Sequence, residues 1–195
     1  MVKGYFVFLA VVGLERLFEV ALSRRHAGWA LAKGGKEFGG ERFAFMKLLH
    51  VGLLLSSAIE VVLLNRPFIP LLGFPMLGLV LAAMALRYWA VLTLGPYWNV
   101  RVIVVPGATP VTSGPYRYLR HPNYLAVITE GLAIPLLHSA WMTAIWFTVL
   151  NAWALRDRVR CEEDALARYC SYQEHLGDRP RFIPLRAERS SHHGR

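Results

Sequence analysis

Cysteines, acidic residues and nucleotide-binding motifs are scarce or absent in this chain of 195 residues. Its two cysteines, Cys161 and Cys170, have a spacing that indicates neither a disulfide framework nor a metal site. No G-x-G-x-x-G segment lies between a strand and a helix, and no P-loop occurs, so a soluble Rossmann-type cofactor domain is excluded. Any nucleotide-like cofactor must therefore be held by loops and by the C-terminal part of the chain.

The acidic residues are outnumbered by basic ones in an otherwise apolar chain. There are 13 Asp and Glu against 22 Lys and Arg, yet 55% of the residues are hydrophobic. A multi-span membrane protein with basic loops combines these properties naturally, whereas a soluble domain rarely does. Because the basic residues flank apolar runs, they indicate a charged membrane face. We therefore expect a lipid bilayer as a partner and no nucleic acid.

Five long apolar runs determine the predicted fold. They lie at about 5–22, 43–64, 70–94, 122–138 and 139–155. The first three approach the roughly 20 residues that a spanning helix needs. The last two are shorter and follow each other almost directly, which predicts a helical hairpin. We expect an all-α integral membrane protein with about five transmembrane helices.

Ionisable side chains interrupt four of these runs. They are Glu15, Arg16, Glu19, His50, Glu60, Arg87 and Glu130. Arg16 and Glu19 are spaced to pair on one helix face. The set either orients the helices by pairing or surrounds a polar headgroup pocket, and the sequence leaves both open. Because the first run lacks a small-residue cleavage site, we expect it to be a retained span and not a signal peptide.

The basic residues also predict the orientation in the membrane. Eighteen of the 22 Lys and Arg residues fall in the segments 23–47, 95–121 and the chain after 155. Lys3 and Arg66 lie on the opposite side. By the positive-inside rule the protein is multi-pass, with its N-terminus outside and its C-terminus and active site cytoplasmic.

The 95–121 segment and the C-terminal part are the predicted functional regions. The former is rich in Gly and Pro, and its run 100–105 has an extended character. Long irregular segments are usually functional or disordered, and the aromatic residues here argue against disorder. Alternating charges over 157–176 predict an amphipathic helix on the cytoplasmic membrane face. The predicted organisation is one domain over 1–186, with its cofactor-binding part at about 95–184, and a disordered tail at 187–195.

The segment 114–124 (G-P-Y-R-Y-L-R-H-P-N-Y) places two arginines, a histidine and three tyrosines at the start of an apolar run. Cations and rings cost solvation free energy there unless they have a partner. Pro122 suits the first turn of a helix. Free backbone N–H groups near His121 would suit an anionic ligand. The alternative is an interfacial aromatic belt, but the compact His-Pro-Asn-Tyr sequence favours a functional site.

A second charged cluster follows the last apolar run, at 156–164 (R-D-R-V-R-C-E-E-D). A solvated, salt-bridged helix start is the simple interpretation. However, Arg158 and Glu162 are spaced to share one helix face. A carboxylate near aromatic rings suits a sulfonium or another cation, and an arginine suits a carboxylate or enolate. The two clusters are therefore predicted to form two walls of one site.

The order V-T-S-G-P-Y at 111–116, R-H-P-N-Y at 120–124, a helical hairpin, R-D-R at 156–158 and E-E at 162–163 resembles the isoprenylcysteine carboxyl methyltransferase family. These are integral-membrane enzymes that use S-adenosylmethionine. The motif match covers about 108–184, and the number of apolar runs extends the resemblance to the rest of the chain.

The resemblance implies a set of cofactor-binding residues and one acceptor-binding residue. The cofactor would be bound by Ala108, Thr109, Pro110, Val111, Tyr116, His121, Pro122, Asn123, Tyr124 and Glu162. Arg158 would face the methyl acceptor as substrate-binding and catalytic residue. Better-known members carry a histidine in place of Ala108, so this contact would be made by the backbone. The glycine expected after Tyr124 is replaced by Leu125, which would alter helix packing under the cofactor.

The N-terminal part, with E-R-L at 15–17 and G-G-K-E-F-G at 34–39, is similar to a bacterial branch of the family. Some members of this branch O-methylate lipidic polyketide pyrones or phenols. We expect an S-adenosylmethionine-dependent enzyme that methylates a carboxylate, enol or phenol oxygen of a lipophilic or lipidated acceptor. Isoprenylcysteine or an alkylpyrone-like lipid would be examples. Catalysis would come mostly from positioning and desolvation, with Arg158 holding the acceptor oxygen as an anion and no evident general base.

Two other functions are compatible with the sequence. NADPH-dependent sterol-type membrane reductases carry a similar Arg-His-x-Asn-Tyr segment, although the Gly-Asp that tends to follow it is missing here. A non-catalytic membrane subunit or solute carrier could be built on the intramembrane Arg and Glu residues. Binding of S-adenosylmethionine, of NADPH or of neither separates the three.

Overall fold

The computed structural model describes residues 2–182, except for the side chains of residues 41–43. This part is mostly helical, as the sequence predicts. Its helices are α1 Val2–Ala32, α2 Gly40–Leu63, α3 Pro70–Leu94, α4 Pro122–Leu136, α5 Trp141–Tyr169 and α6 Tyr172–Leu176. The other described elements are the strands β1 Lys36–Phe38 and β2 Val102–Val104 and the 3-10 helices Gly95–Tyr97 and Gly114–Arg117. The predicted tail at 187–195 lies outside the described residues.

Two segments of the described chain, Ala44–Leu63 and Pro70–Tyr97, are long and apolar enough to cross a membrane. The helix α1 is longer, with 31 residues, but Glu15, Arg16 and Glu19 interrupt its apolar run. The helix α4 has 15 residues, so it is only about 22 Å long, against the roughly 30 Å of a hydrocarbon core. The five-span arrangement and its orientation therefore stay predictions.

A two-stranded sheet joins the two irregular regions at one end of the molecule. The strands β1 and β2 pair antiparallel, with Phe38 opposite Val102. This sheet adds strands to the all-α fold that the sequence predicts, although the extended character of 100–105 already indicates one of them. Nearby, Ser23 of α1 donates a hydrogen bond to Asn99 at 2.7 Å. The 95–121 segment is thereby held against both α1 and the start of α2.

The amphipathic helix predicted over 157–176 is not a separate element. Residues 157–169 continue α5, and α6 alone follows the break at Cys170. No Gly or Pro occurs in α5, so nothing in the backbone ends the helix where its apolar part gives way to charge. The charged half of α5 therefore projects rigidly from the bundle and carries Arg158 and Glu162 at fixed positions.

The helices α4 and α5 form the hairpin that the sequence predicts. Ser139 in the short connection adopts a left-handed conformation with φ of 58°. Gly131 of α4 lies against Phe147 of α5, and a Cβ atom at residue 131 would come within 2.1 Å of that ring. This close approach lets the two helices pack tightly, so that the start of α4 stands beside the charged half of α5.

Five charged side chains meet inside the bundle, and we call them the ionic cluster: Glu15, Arg16, Glu19, Arg87 and Glu130. Arg16 of α1 contacts Glu15 at 2.9 Å and Glu19 at 2.8 Å. Arg87 of α3 forms an ion pair with Glu130 of α4 through both carboxylate oxygens. Structural pairing thus accounts for most of the ionisable residues in the apolar runs. These ion pairs connect α1, α3 and α4 inside the bundle.

The two remaining ionisable residues have local roles. Glu60 accepts hydrogen bonds from the backbone N–H groups of Met142 at 3.1 Å and Thr143 at 2.7 Å. It also pairs with Arg66 at 2.9 Å. Glu60 therefore caps the first turn of α5 from a neighbouring helix. His50 bonds through Nδ1 to the carbonyl oxygen of Met46 in its own helix at 2.8 Å.

Candidate functional site

A cavity lies where the 95–121 segment folds over the start of α4 and the charged half of α5. Its volume is about 1010 Å³ with its open mouth included. Nine of the ten predicted cofactor-binding residues line it: Ala108, Thr109, Pro110, Val111, Tyr116, His121, Asn123, Tyr124 and Glu162. Pro122 is buried as the first residue of α4 and does not line the cavity. The fold thus brings together residues that are up to 54 positions apart.

Three side chains present buried polar atoms that have no hydrogen-bond partner within the described part of the chain. They are Nε1 of Trp98, Oδ1 of Asn123 and the hydroxyl group of Tyr172, and all three residues line the cavity. Buried polar atoms in folded proteins nearly always have a partner. Trp98 offers a donor, Asn123 offers an acceptor, and the Tyr172 hydroxyl group can act as either. These groups therefore fit a polar ligand that bears both donors and acceptors.

The hydroxyl group of Tyr124 connects the two residues that the sequence predicts on one face of a helix. It donates a short hydrogen bond to Glu162 and accepts one from Nε of Arg158 at 2.7 Å. The Arg158 guanidinium also lies 5.5 Å from the centre of the Tyr124 ring. A further hydrogen bond from Arg158 to the carbonyl oxygen of Val100 measures 2.5 Å. The predicted shared face of Arg158 and Glu162 is confirmed, and Tyr124 joins them.

Arg158 lines a second cavity, separate from the first. This cavity lies between the start of α2 and the middle of α5 and has a volume of about 870 Å³ with its mouth included. Its apolar wall includes Phe45 and Trp153, whose rings meet edge to face 5.6 Å apart. Trp153 is 65% exposed, so this wall reaches the surface of the apolar helices. Arg101 and Val102 line both cavities, which are therefore neighbours.

His121 is held by a hydrogen bond to a carboxylate that the sequence does not predict. Its Nε2 lies 3.0 Å from the Glu163 carboxylate, which also binds Arg181 at 2.5 Å. Burial alone would raise the pKa of the Glu163 carboxyl, but hydrogen bonds from His121 and Arg181 lower that pKa to about 2. Glu163 therefore carries its charge throughout the physiological range. The adjacent acidic pair at 162–163 is the sequence signal that could have indicated it.

The segment at 179–182 packs against residues 116–121, of which Tyr116, Arg120 and His121 line the first cavity. The backbone N–H groups of Arg120 and His121 donate to the carbonyl oxygens of Pro180 at 2.9 Å and Arg181 at 3.1 Å. Phe182 lies 6.2 Å from the His121 ring. The prediction that N–H groups near His121 are available to an anionic ligand is therefore wrong for these two groups. Their partners lie about sixty residues further along the chain, beyond the reach of local pattern.

Two tyrosine hydroxyl groups of the first cavity, those of Tyr116 and Tyr172, stay protonated. Burial raises the pKa of the Tyr116 and Tyr172 hydroxyl groups well above the ordinary value of 10.0. Neither group loses its proton near neutral pH, so neither provides a base. Trp98 and Tyr172 also line the cavity but are not predicted as site residues, because the sequence does not show which way an aromatic side chain of a loop or of an amphipathic helix faces.

The chain resembles known proteins over most of its length. It is 37% identical over 166 residues to the uncharacterized protein YpbQ of Bacillus subtilis. The aligned region covers 85% of this chain and 98% of that protein. It is 26% identical over 155 residues to an uncharacterized protein of Haemophilus influenzae, covering 78% of this chain and 88% of that protein.

A family model also matches, over residues 76–168. This match includes the loop over the cavity, the R-H-P-N-Y segment, the helical hairpin and the charged half of α5. These are the elements that place Tyr124, Arg158 and Glu162 together. The chain therefore belongs to the isoprenylcysteine carboxyl methyltransferase (ICMT) family, a family of membrane methyltransferases.

Proposed function

We propose that the protein transfers a methyl group from S-adenosylmethionine to an oxygen atom of a lipophilic acceptor. The observation that carries this proposal is the Tyr124 hydroxyl group, which links Glu162 of the first cavity to Arg158 of the second. Direct transfer requires two bound molecules to meet at one point in a fixed orientation. Two neighbouring cavities of different polarity that are joined by one side chain supply this arrangement.

The first cavity suits S-adenosylmethionine in its chemical groups. When bound, this cofactor supplies a methyl group carried on a positively charged sulfur atom. Glu162 offers a carboxylate beside aromatic rings, which favours a positive charge. Trp98, Asn123 and Tyr172 hold unpartnered polar atoms for the hydroxyl, amino and carboxylate groups of such a molecule.

The second cavity suits the hydrocarbon part and the reacting oxygen of the acceptor. Phe45, Met46 and Trp153 form an apolar wall that reaches the outer surface of the helices. Arg158 stands at the inner end, where two of its nitrogen atoms are held by Tyr124 and by Val100. Its remaining nitrogen, Nη1, donates no hydrogen bond to any atom that the structure describes. A carboxylate, enolate or phenolate oxygen would pair with this group.

Catalysis would rest on position and on the exclusion of water. Arg158 is fixed by two hydrogen bonds and would hold the acceptor oxygen as an anion. Glu162 would hold the positive charge on the other side of Tyr124. Since Tyr124 is 7% exposed, little water reaches the point between them, and electrostatic interactions are stronger there. The acceptor would enter sideways from the bilayer, and isoprenylcysteine or an alkylpyrone-like lipid would fit this description.

Binding of S-adenosylmethionine to the purified protein tests the proposal. We expect saturable calorimetric binding in detergent that weakens about tenfold in Glu162→Gln, since a charge-assisted contact contributes roughly 1.5–3 kcal/mol. The matched control is Asp164→Asn, an exposed acid two residues further along α5. Binding of NADPH but not of S-adenosylmethionine would favour the reductase. Binding of neither would favour a non-catalytic subunit.

A further inference from the structure

A third cavity lies on a different face of α5 from the second cavity, and it belongs to neither site described above. It is a groove of about 810 Å³, with its mouth included, between α4, α5 and the segment at 181–182. It shares no lining residue with the first or second cavity. Its floor is apolar, with Phe147, Leu155 and Val159 all nearly inaccessible to solvent.

Arginines stand at one end of this groove. Arg156 and Arg160 are one turn apart on α5, and Arg181 joins them from the C-terminal segment. Arg156 and Arg160 are exposed and form no ion pair with any residue of the described chain, whereas Arg181 pairs with Glu163. No Asp or Glu lines the groove within residues 2–182. This end therefore offers uncompensated positive charge to an anionic group.

A single polar side chain lies deeper in the groove. Asn151 is 3% exposed, and its amide oxygen has no hydrogen-bond partner in the described structure. It is five residues before Arg156 on the same helix, which places it about 7.5 Å further along the helix axis. Beyond it, Phe147 and Ile128 are apolar. The groove thus passes from cationic to polar to apolar over one continuous surface.

We propose that this groove is a binding site for an anionic phospholipid of the membrane. A phospholipid has the same order of groups: a phosphate, a glycerol ester region and a hydrocarbon chain. The phosphate would pair with Arg156 and Arg160, the glycerol region would satisfy Asn151, and an acyl chain would cover Phe147 and Leu155. Basic pockets between membrane helices are known to bind such headgroups. The site requires neither the cofactor nor the methyl acceptor.

Lipid-dependent thermal stability of the full-length protein in detergent tests this site. Dioleoyl phosphatidylglycerol should raise the melting temperature saturably, and dioleoyl phosphatidylcholine should raise it much less. The double variant Arg156→Gln/Arg160→Gln should need at least fivefold more phosphatidylglycerol for the same shift. The matched control, Arg25→Gln/Arg168→Gln, removes two exposed arginines outside the groove and should behave as wild type.

A second variant and a second probe distinguish a specific site from general attraction. Asn151→Leu removes the polar group but no charge, and it should also weaken the phosphatidylglycerol effect. If the wild type and the Arg156→Gln/Arg160→Gln variant show the same preference for phosphatidylglycerol over phosphatidylcholine, the proposal is overturned. If the control double variant loses as much of the phosphatidylglycerol effect, the stabilisation depends on net charge and not on this groove. If inorganic phosphate reproduces the full shift, the arginines bind an adventitious ion only.

Discussion

At the scale of single residues, the Tyr124 hydroxyl group is the point on which the candidate site depends. It is bonded at once to an acid and to a guanidinium, so its removal changes both cavities. The sequence indicates that Arg158 and Glu162 are neighbours on a helix. It does not indicate that a tyrosine more than thirty positions earlier stands between them.

Replacing this hydroxyl group alone gives a sharp prediction. Tyr124→Phe keeps the ring and its contact with His121 but leaves Glu162 and Arg158 each short of one hydrogen bond. We expect S-adenosylmethionine to bind roughly 1–3 kcal/mol more weakly in calorimetry. Tyr118→Phe is the control, because Tyr118 is exposed and lines none of the three cavities described above. Unchanged binding in Tyr124→Phe would remove this tyrosine from the cofactor site.

The variant Arg158→Lys tests whether Arg158 acts on the acceptor or on the cofactor. Lysine keeps the charge but cannot hold Tyr124, Val100 and an acceptor oxygen with one planar fork. Turnover with an accepted lipid should fall about tenfold or more, which corresponds to about 1.4 kcal/mol of barrier, while the affinity for S-adenosylmethionine should stay within a few-fold. Loss of cofactor binding with normal turnover at saturation would show that the assigned roles are wrong.

At the scale of elements, contacts distant in sequence explain what the sequence could and could not predict. The start of α4 at Pro122, the hairpin and the shared face on α5 follow from local pattern, and the structure has them. The strand pairing of Phe38 with Val102 and the contact of His121 with Glu163 depend on the folded backbone. The change from apolar to charged residues in α5 predicts a boundary, but the helix continues across it because no residue there breaks a helix.

The segment at 179–182 should be released by acid. The Glu163 carboxyl has a pKa of about 2 in the folded protein, below its ordinary value of 4.5. A lowered pKa stabilises the fold fully above pH 4.5, and this contribution is lost as the pH falls towards 2. We expect the melting temperature in detergent to decline over this window. Glu163→Gln should lower the melting temperature at neutral pH and make its decline towards pH 2 less steep. An equally steep decline in that variant would show that Glu163 is not the titrating group.

At the scale of the whole molecule, the distribution of charge predicts how the protein sits in the membrane. The first cavity and the arginine end of the groove both lie in the basic regions that the sequence places in the cytoplasm. The Glu60–Arg66 pair caps α5 at its opposite end. A cofactor that is made in the cytoplasm would then reach its cavity directly.

Labelling from one side tests this orientation. Leu64→Cys places a thiol in the exposed connection between α2 and α3, close to Arg66. A membrane-impermeant maleimide should label it in intact cells, whereas the native Cys161 and Cys170 should react only after the membrane is opened. The reverse pattern would place the first cavity outside the cell and contradict the proposed access of the cofactor.

The ionic cluster has a consequence for how the protein is made. Glu15, Arg16 and Glu19 emerge from the ribosome in the first helix, while Arg87 and Glu130 follow much later. Within α1, Arg16 pairs with Glu15 and Glu19, so one net negative charge has no partner until Arg87 of α3 is made. A charged residue at the centre of an inserting helix costs about 2.5–3.5 kcal/mol on insertion scales. At roughly 5–20 residues per second, Glu130 is added some 6–23 seconds after Glu15. During that interval α1 would be a poor membrane segment by itself, so its stable insertion would wait at the translocon, or depend on an insertion chaperone, until α3 and α4 arrive.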